Sequence, residues 1–296
     1  MTQAVSRTRF NSAGLVRMLA ELAVADVADP KQTFAERLGE WLDFKDALAL
    51  YSALNSAATG APSRAAPAAA LRGQLVQVRG ELAAAVAAAG TTQPGGTNLA
   101  LPTPLPNAAP ESAADFAPFH RYYLAHQRAM AAAVSPLRAS ARAVLAGQSA
   151  ALRQLAALDA VLDQALAARE ASLLATVPVL LGKRFAQLYE AHRREREAVR
   201  RDVAGQAVTA DTAMTGEGAA GERAVGAGAA GERAVGEGAA GTGAPPDDPA
   251  RWMQPGGWLG RFCAEMQRVL LAELDLRLMP VAGLVAALDK ESTELQ

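Results

Sequence analysis

The apolar side chains of this 296-residue chain recur at helical spacing, and the longest such row runs from Leu137 to about Val203. Apolar residues recur in it every eleven positions, which is close to three turns of an α-helix, so the row stays on one face. We predict one long helix, kinked near Pro178, because a proline there removes a hydrogen bond and clashes with the preceding turn. The eleven-residue row consists of Val144, Leu155, Leu166, Val177 and Leu188.

Shorter rows with the same spacing predict helices on both sides of the long one. Residues 1–58 form an N-terminal helical unit in this interpretation, and one helix at 71–89 interrupts a linker that covers 59–110. The long helical or coiled-coil region takes up 111–203. Residues 251–296 hold C-terminal helices, whose apolar rows we expect to pack on the long helix.

Two segments lack apolar rows altogether. Residues 91–110 carry five prolines, and proline at this density cannot continue a helix. Residues 216–245 consist of three similar glycine-rich decapeptides, whose few large apolar side chains cannot offset the entropy lost on ordering. We predict that both are disordered linkers, the second of which extends over 204–250.

The composition indicates an all-α fold. Alanine, the best helix former, is abundant, whereas the runs of Val, Ile, Thr and aromatic residues that are typical of strands are nearly absent. Only 5% of the residues are aromatic. Because alanine buries little apolar area, we expect an elongated helical bundle or coiled coil rather than one compact globule.

Charge, cysteine content and hydropathy narrow the expected partners, disulfides and cellular location of the protein. The formal net charge of -1 argues against a general attraction to nucleic acid or to anionic lipid. Cys263 is the only cysteine, so no disulfide can form within the chain. The most apolar stretch, residues 171–181, contains a proline and is shorter than the roughly 20 residues that span a bilayer. We expect no transmembrane segment and a cytoplasmic location.

Motifs for catalysis are missing from the sequence. It contains no GxSxG, no phosphate-binding loop and no HExxH, so we expect no enzymatic activity, no cofactor and no metal. One stretch is chemically varied, and it is the candidate for a partner, ligand or metal patch. Its histidines are six residues apart and do not share a helix face, which favours packing of the rings over metal binding. The patch consists of His120, Arg121, Tyr122, Tyr123 and His126.

Sustained leucine rows without catalytic motifs favour a non-enzymatic scaffold or adaptor. Such a protein acts by contact with itself or with another helical protein, because unpaired apolar rows on long helices pack against one another. The residues that we expect to carry assembly are Leu155, Leu158, Leu162, Leu166, Leu173 and Val177.

A second function remains open at the polar end of the long helix. Its excess of arginine makes a nucleic acid or an acidic protein an alternative partner. Acidic residues alternate with these arginines, which is typical of a solvated helix surface. The basic patch consists of Arg193, Arg194, Arg196, Arg200 and Arg201.

Several helical stretches together resemble an uncharacterised family of proteobacterial proteins that is known only as a domain of unknown function. The resemblance covers about half of the chain and implies no activity, cofactor or catalytic residue. It also leads us to expect a cytoplasmic component of an envelope-associated assembly. The stretches are LAELAVADV (19–27), FAERLGEWLDFKDALALYSAL (34–54), FHRYYLAHQRAM (119–130), LRQLAALDAVLDQAL (152–166), LLATVPVLLGKRF (173–185) and EMQRVLLAELDLRLMPVAGLVAAL (265–288).

Overall fold

The computed structural model describes residues 14–22, 34–55, 68–88, 100–104, 114–214 and 249–294. Within these ranges the chain forms helices and no strand, which confirms the all-α prediction. The helices are α1 (Gly14–Glu21), α2 (Phe34–Trp41), α3 (Phe44–Asn55), α4 (Ala68–Ala87), α5 (Ala117–Ala146), α6 (Ala150–Leu174), α7 (Thr176–Met214), α8 (Pro249–Trp252) and α9 (Trp258–Glu294).

The predicted linkers fall mostly outside the described residues. The decapeptide repeat at 216–245 lies wholly outside them, as does most of the proline-rich segment. The start of the second linker was predicted at residue 204, but α7 continues to Met214, so that boundary is wrong. The division of the chain into separate units remains a prediction.

Helix α9 is the centre of the bundle. It packs against α1, α4, α5, α6 and α7, and it is buried on more than one side. Large apolar residues occur on nearly every turn of α9, as a helix surrounded by others requires. It also runs unbroken through Pro280. Buried apolar residues follow the proline as well as precede it. These buried residues include Phe262, Met266, Leu270, Leu274, Val281, Leu284 and Leu288.

The long helix predicted from Leu137 to Val203 is three helices. The chain turns at residues 147–149, where Ser149 caps α6 by accepting a hydrogen bond from the Leu152 backbone N–H at 3.2 Å. Gly147 is a signal for the end of one helix and Ser149 for the start of the next. These local signals override the eleven-residue period of the apolar row. A second break at Ala175 agrees with the predicted kink near Pro178. Pro178 lies in the first turn of α7, where an N–H has no helical acceptor to lose.

Helices α5 and α6 form a hairpin that is held by four charged side chains. Arg138 binds Asp159 through two nitrogens, at 2.9 and 2.6 Å, and it binds Asp163 at 2.6 Å. Arg142 binds the same two carboxylates, with 2.8 Å to Asp159. The cluster is neutral, and all of its members except Asp163 are largely shielded from water, so the two guanidinium groups and the two carboxylates compensate one another.

An aromatic cluster joins α5, α7 and α9 at one end of the bundle. The ring of Phe185 lies 5.1 Å from Phe262 and 5.4 Å from Trp258, both nearly edge to face. Phe119 contacts Phe262 in the same manner at 5.5 Å. Edge-to-face contacts of this kind stabilise beyond the area they bury, so the few aromatic residues are concentrated where three helices meet.

The turn between α8 and α9 requires glycine at two positions. Gly256 has φ +90°, a left-handed conformation that residues with a Cβ rarely adopt. A Cβ on Gly257 would collide with the backbone carbonyl oxygens of Arg251 and Trp252. This close approach brings Trp252 within 6.3 Å of Trp258, so the turn adds an indole to the aromatic cluster.

Replacement of Asp159 by alanine should remove the bidentate partner of Arg138 and one of the two carboxylates that Arg142 binds. We expect a loss of about 2–4 kcal/mol in the free energy of unfolding, measured by urea denaturation. Glu190→Ala is the matched control, because its pair with Arg193 is exposed and should contribute less than about 0.5 kcal/mol. Equal losses in the two variants would contradict the structural role of the cluster.

Two Gly-to-Ala changes should have opposite effects. Gly257→Ala places a methyl group against a backbone carbonyl, and we expect it to destabilise by about 1–3 kcal/mol. Gly283→Ala lies in α9 with nothing within 4 Å of the new Cβ, so the better helix propensity of alanine should stabilise by up to about 1 kcal/mol. Thermal unfolding of both variants tests these expectations: an unchanged stability of Gly257→Ala would contradict the glycine requirement of the turn, and a loss in Gly283→Ala would contradict the open space at that position.

Candidate functional site

Helix α3 begins with a reciprocal cap. The Asp43 side chain accepts a hydrogen bond from the Asp46 backbone N–H at 2.8 Å, and the Asp46 side chain accepts one from Asp43 at 3.2 Å. Each aspartate thus satisfies an N–H that the first helical turn leaves free. The cap places Phe44 at the first position of the helix, where its ring projects from the bundle.

The main contact of α3 is with α6, and the contacts at its two ends show that the two helices run in opposite directions. At one end the Gln154 side chain donates a hydrogen bond to the Leu54 carbonyl. At the other end the guanidinium of Arg169 lies 5.3 Å from the ring centre of Trp41, at the end of α2. Ala53 is buried on the inner side of α3. Helices α2 and α3 therefore form an arm on the outside of the α5–α6 hairpin.

The opposite side of α3 exposes large apolar side chains to solvent. Phe44 is 84% exposed, Tyr51 64% and Leu48 55%, and positions 44, 48 and 51 share one helix face. Leu54 beside them is also exposed. In the described part of the chain, the other large exposed apolar residues are scattered singly or far apart on other helices. We call Phe44, Leu48, Tyr51 and Asn55 the α3 face, and it is the candidate functional site.

The leucines predicted to carry assembly divide among three environments. Leu155, Leu158, Leu162 and Leu166 are half-buried on α6, Leu173 is exposed, and Val177 is buried in the core. By helical spacing, Leu158 and Leu162 share a face of α6 with Gln154 and Arg169, which contact the α2–α3 arm. Their role in assembly remains a prediction, and the chain's own α2–α3 arm already covers part of that row.

The predicted aromatic and histidine patch does not form one surface. Tyr122, Tyr123 and His126 are buried, His120 is half-buried with its ring 6.0 Å from Phe116, and Arg121 is exposed. The Tyr122 hydroxyl donates to the Val86 carbonyl at 3.4 Å, and the Tyr123 hydroxyl donates to Glu273 at 2.7 Å. The rings pack into the bundle, as the spacing of the histidines favoured.

The basic patch lies on α7 beyond the aromatic cluster, and all five of its arginines are exposed. Arg193 pairs with Glu190 at 3.1 Å, and Arg201 pairs with Glu197 at 3.3 Å. Glu197 also binds Arg200. Hydrogen bonding from Arg200 lowers the pKa of this carboxyl group. The alternating acids therefore neutralise part of the arginine row within the helix itself.

A buried glutamate that the sequence analysis missed ties α9 to α5. Glu273 is 0% exposed, and its carboxylate accepts hydrogen bonds from Tyr123 at 2.7 Å, from Gln127 at 3.0 Å and from Arg277 at 2.9 Å. Gln127 also donates to the Leu174 carbonyl at 3.2 Å, which brings in the end of α6. The signal available in the sequence was an acidic residue, Glu273, four positions before Arg277 and surrounded by apolar rows, which indicates a buried ion pair.

Glu265 plays the same part between α9 and α7. It binds Arg184 through two hydrogen bonds of 2.7 and 2.8 Å and accepts a third from Arg261 at 3.1 Å. Burial alone would raise the pKa of the Glu265 carboxyl, but hydrogen bonds and charge from the two arginines outweigh it and lower the pKa. Both glutamates act as clamps between helices.

Two further ionisable groups are buried among apolar side chains. His126 is 1% exposed, its Nε2 has no hydrogen-bond partner, and its ring lies 4.5 Å from that of Tyr122. Burial lowers the His126 pKa to about 4, so the imidazole is neutral at pH 7. Burial likewise raises the pKa of the Cys263 thiol to about 12, which makes it unreactive in the folded chain.

Other features of the described residues offer less to a ligand. An open groove of about 420 Å³ between α1 and α9 is lined by charged and apolar side chains. Three of its charged residues are already paired, Arg268 with Glu21 at 3.7 Å within the groove and Asp275 with Arg79 at 3.0 Å. The described ranges contain no group of three His, Cys, Asp or Glu side chains arranged to hold a metal ion.

One helical stretch is apolar and long enough to cross a membrane. It lies within residues 150–205, and 22% of its most apolar window is buried in the bundle. This assignment as a possible membrane span rests on length and composition alone, and core helices of soluble proteins meet the same criteria. The stretch spans the break at Ala175, where α6 ends.

Comparison with known proteins places the chain in a family. The family model described as a protein of unknown function, DUF3348, matches residues 1–214 and 233–290. The chain belongs to this family. The match passes over 215–232, which holds the first glycine-rich decapeptide and most of the second. No curated protein and no solved structure matches the chain. DUF3348 thus confirms the resemblance to an uncharacterised family seen in the helical stretches.

The burial of His126 should make folding sensitive to acid. The unfolded chain binds a proton with the ordinary histidine pKa of 6.5, whereas the folded chain does so at about 4. Stability should therefore fall as the pH drops from about 7 to 4, by up to about 3 kcal/mol from this group. His126→Phe should remove that part of the slope when urea midpoints are measured across this range. An unchanged slope would show that other groups cause the acid sensitivity.

Proposed function

We propose that this DUF3348 protein is a non-enzymatic helical scaffold or adaptor that acts through protein–protein contacts. The observation that carries the proposal is the α3 face, which presents Phe44, Leu48 and Tyr51 to solvent from a helix that is firmly capped and docked. Covering a large apolar side chain such as Phe or Leu gains roughly 1.5–3 kcal/mol. A partner helix that covers this face therefore gains enough for specific association.

The use made of buried polar groups supports the same proposal. Glu265, Glu273 and Asp159 each bind side chains of a neighbouring helix, so their charges stabilise the bundle. The shifts in the pKa values of His126 and Cys263 move both groups away from titration near pH 7, where proton transfer and thiolate chemistry work best. A cytoplasmic place in an envelope-associated assembly rests on the family resemblance alone.

The arginine row of α7 carries a second candidate function, which is binding to a nucleic acid or another polyanion. Arg193, Arg196 and Arg200 share one exposed helix face at steps of three and four residues. Such a row releases counterions on binding phosphates and gives salt-dependent affinity. The pairs with Glu190 and Glu197 reduce the net charge, so the α3 face is the stronger of the two candidates.

The two candidates separate in an affinity pull-down of the tagged full-length protein from its own cells, with and without nuclease, read by mass spectrometry. The test variant replaces Phe44, Leu48 and Tyr51 by glutamine, a good helix former that removes the apolar surface. Val76→Gln is the matched control, because Val76 is 67% exposed on α4 and lies outside the face.

We expect a protein partner, which includes another copy of the chain, to be retained by the wild type and by the Val76 variant and lost from the triple variant, whatever the nuclease treatment. A partner that persists in the triple variant would overturn the role of the α3 face. Recovery that depends on intact nucleic acid and on Arg193, Arg196 and Arg200 would move the function to α7.

A further inference from the structure

The α3 face has the spacing of a coiled-coil seam. Phe44, Leu48, Tyr51 and Asn55 follow one another at steps of four, three and four, which is the alternation of core positions in a heptad repeat. The seam points away from α6, because Ala53 on the other side of α3 is buried. A seam of this kind fits a second helix lying nearly parallel to its axis, rather than a small molecule or a flat surface.

We propose that a second copy of this chain covers the α3 face, with the two α3 helices antiparallel about a twofold axis. This proposal rests on the proposed function and names its partner. In the antiparallel arrangement Phe44 packs over Asn55 of the second copy, and Leu48 packs against Tyr51. Each large side chain then faces a smaller one. A parallel arrangement sets ring against ring at two levels and asparagine against asparagine at a third, which leaves gaps beside overfilled layers.

Charge complementarity also favours the antiparallel pair. Lys45 flanks the seam at the N-terminal end of α3, and the twofold axis brings it beside Ser52 near the C-terminal end of the other helix. A cation is favourable there because the last carbonyl groups of a helix carry partial negative charge. A parallel pair would instead place the capping carboxylates Asp43 and Asp46 of both copies at the same end, as well as both lysines.

The polar end of the seam tolerates this contact. The Asn55 side chain donates a hydrogen bond to the Tyr51 carbonyl at 2.8 Å, so its amide nitrogen already has a partner in the single chain. The ring of Phe44 from the second copy can cover the remaining surface without leaving that donor unpaired. Flanking positions Ala47 and Leu54 meet each other across the axis and add apolar contact.

The size of the surface sets the strength of association. Twelve residues of helix span about 18 Å, which is short for an interface that buries the usual 800 Å² or so on each partner. We therefore expect a reversible dimer with a dissociation constant in the micromolar range rather than an obligate one. Such a dimer also leaves the face available to a competing helix at low concentration.

Sedimentation equilibrium of the full-length protein over a wide concentration range tests the dimer. The wild type and Val76→Gln should approach twice the chain mass, and the triple glutamine variant should dissociate more than about tenfold more readily. At concentrations low enough for the wild type to be monomeric, circular dichroism should show the same thermal unfolding for all three, since the replaced side chains are exposed in the single chain and only self-association would stabilise the wild type further. A dimer unaffected by the triple variant would overturn the assignment to α3.

Disulfide formation tests the direction of the helices. Lys45→Cys and Ser52→Cys are prepared separately, and the natural Cys263 stays silent because it is buried. A mixture of the two variants should form the 45–52 disulfide under mild oxidation, whereas each variant alone should remain mostly reduced. Efficient disulfides in each variant alone would overturn the antiparallel arrangement.

The outcomes also separate this inference from the proposed function. A wild-type protein that stays monomeric at high concentration overturns self-pairing, and the pull-down then decides whether another protein uses the face. A monomer whose thermal stability falls in the triple variant would show that a segment of the same chain covers α3, and it would overturn the second copy as occupant. A wild-type chain that neither forms a dimer nor retains any protein partner would overturn both proposals.

Discussion

The bundle depends on the burial of one helix on several sides. Helix α9 presents large apolar residues around most of its circumference, and α1, α4, α5, α6 and α7 can therefore all pack on it. The surrounding helices are richer in alanine, which buries little apolar area per residue, so the large side chains of α9 supply much of the core between them. In this arrangement the order of the helices along the chain matters less than their access to α9.

Buried charge then makes the packing specific. Apolar rows alone would let α5 or α7 slide by a turn along α9, since leucine and alanine fit several registers. Glu273 with Tyr123, and Glu265 with Arg184, are satisfied in one register only. A shifted helix would leave a charged group buried without its partner, which costs more than the contact itself contributes.

The sequence predicted the class of fold and most helical stretches, because the spacing of apolar residues is a local property. It also predicted the interruption near Pro178 and the family. It failed where the outcome depends on the whole molecule. The period through Leu155 and Leu166 crossed a turn that Ser149 caps, and the centre of the bundle lies in α9 rather than in that row. Sequence alone did not show that Phe44 would be exposed, since the same spacing in α9 marks a core.

The packing of α2 and α3 on α6 has a consequence for local unfolding of the molecule. A part that is held mainly through one neighbour opens at lower cost than the core, as a separate cooperative unit. Trp41 belongs to this arm, whereas Trp252 and Trp258 lie in the aromatic cluster. Intrinsic tryptophan fluorescence can therefore follow the two events separately. Emission from Trp41 reports the opening of the arm, and emission from Trp252 and Trp258 reports the unfolding of the bundle.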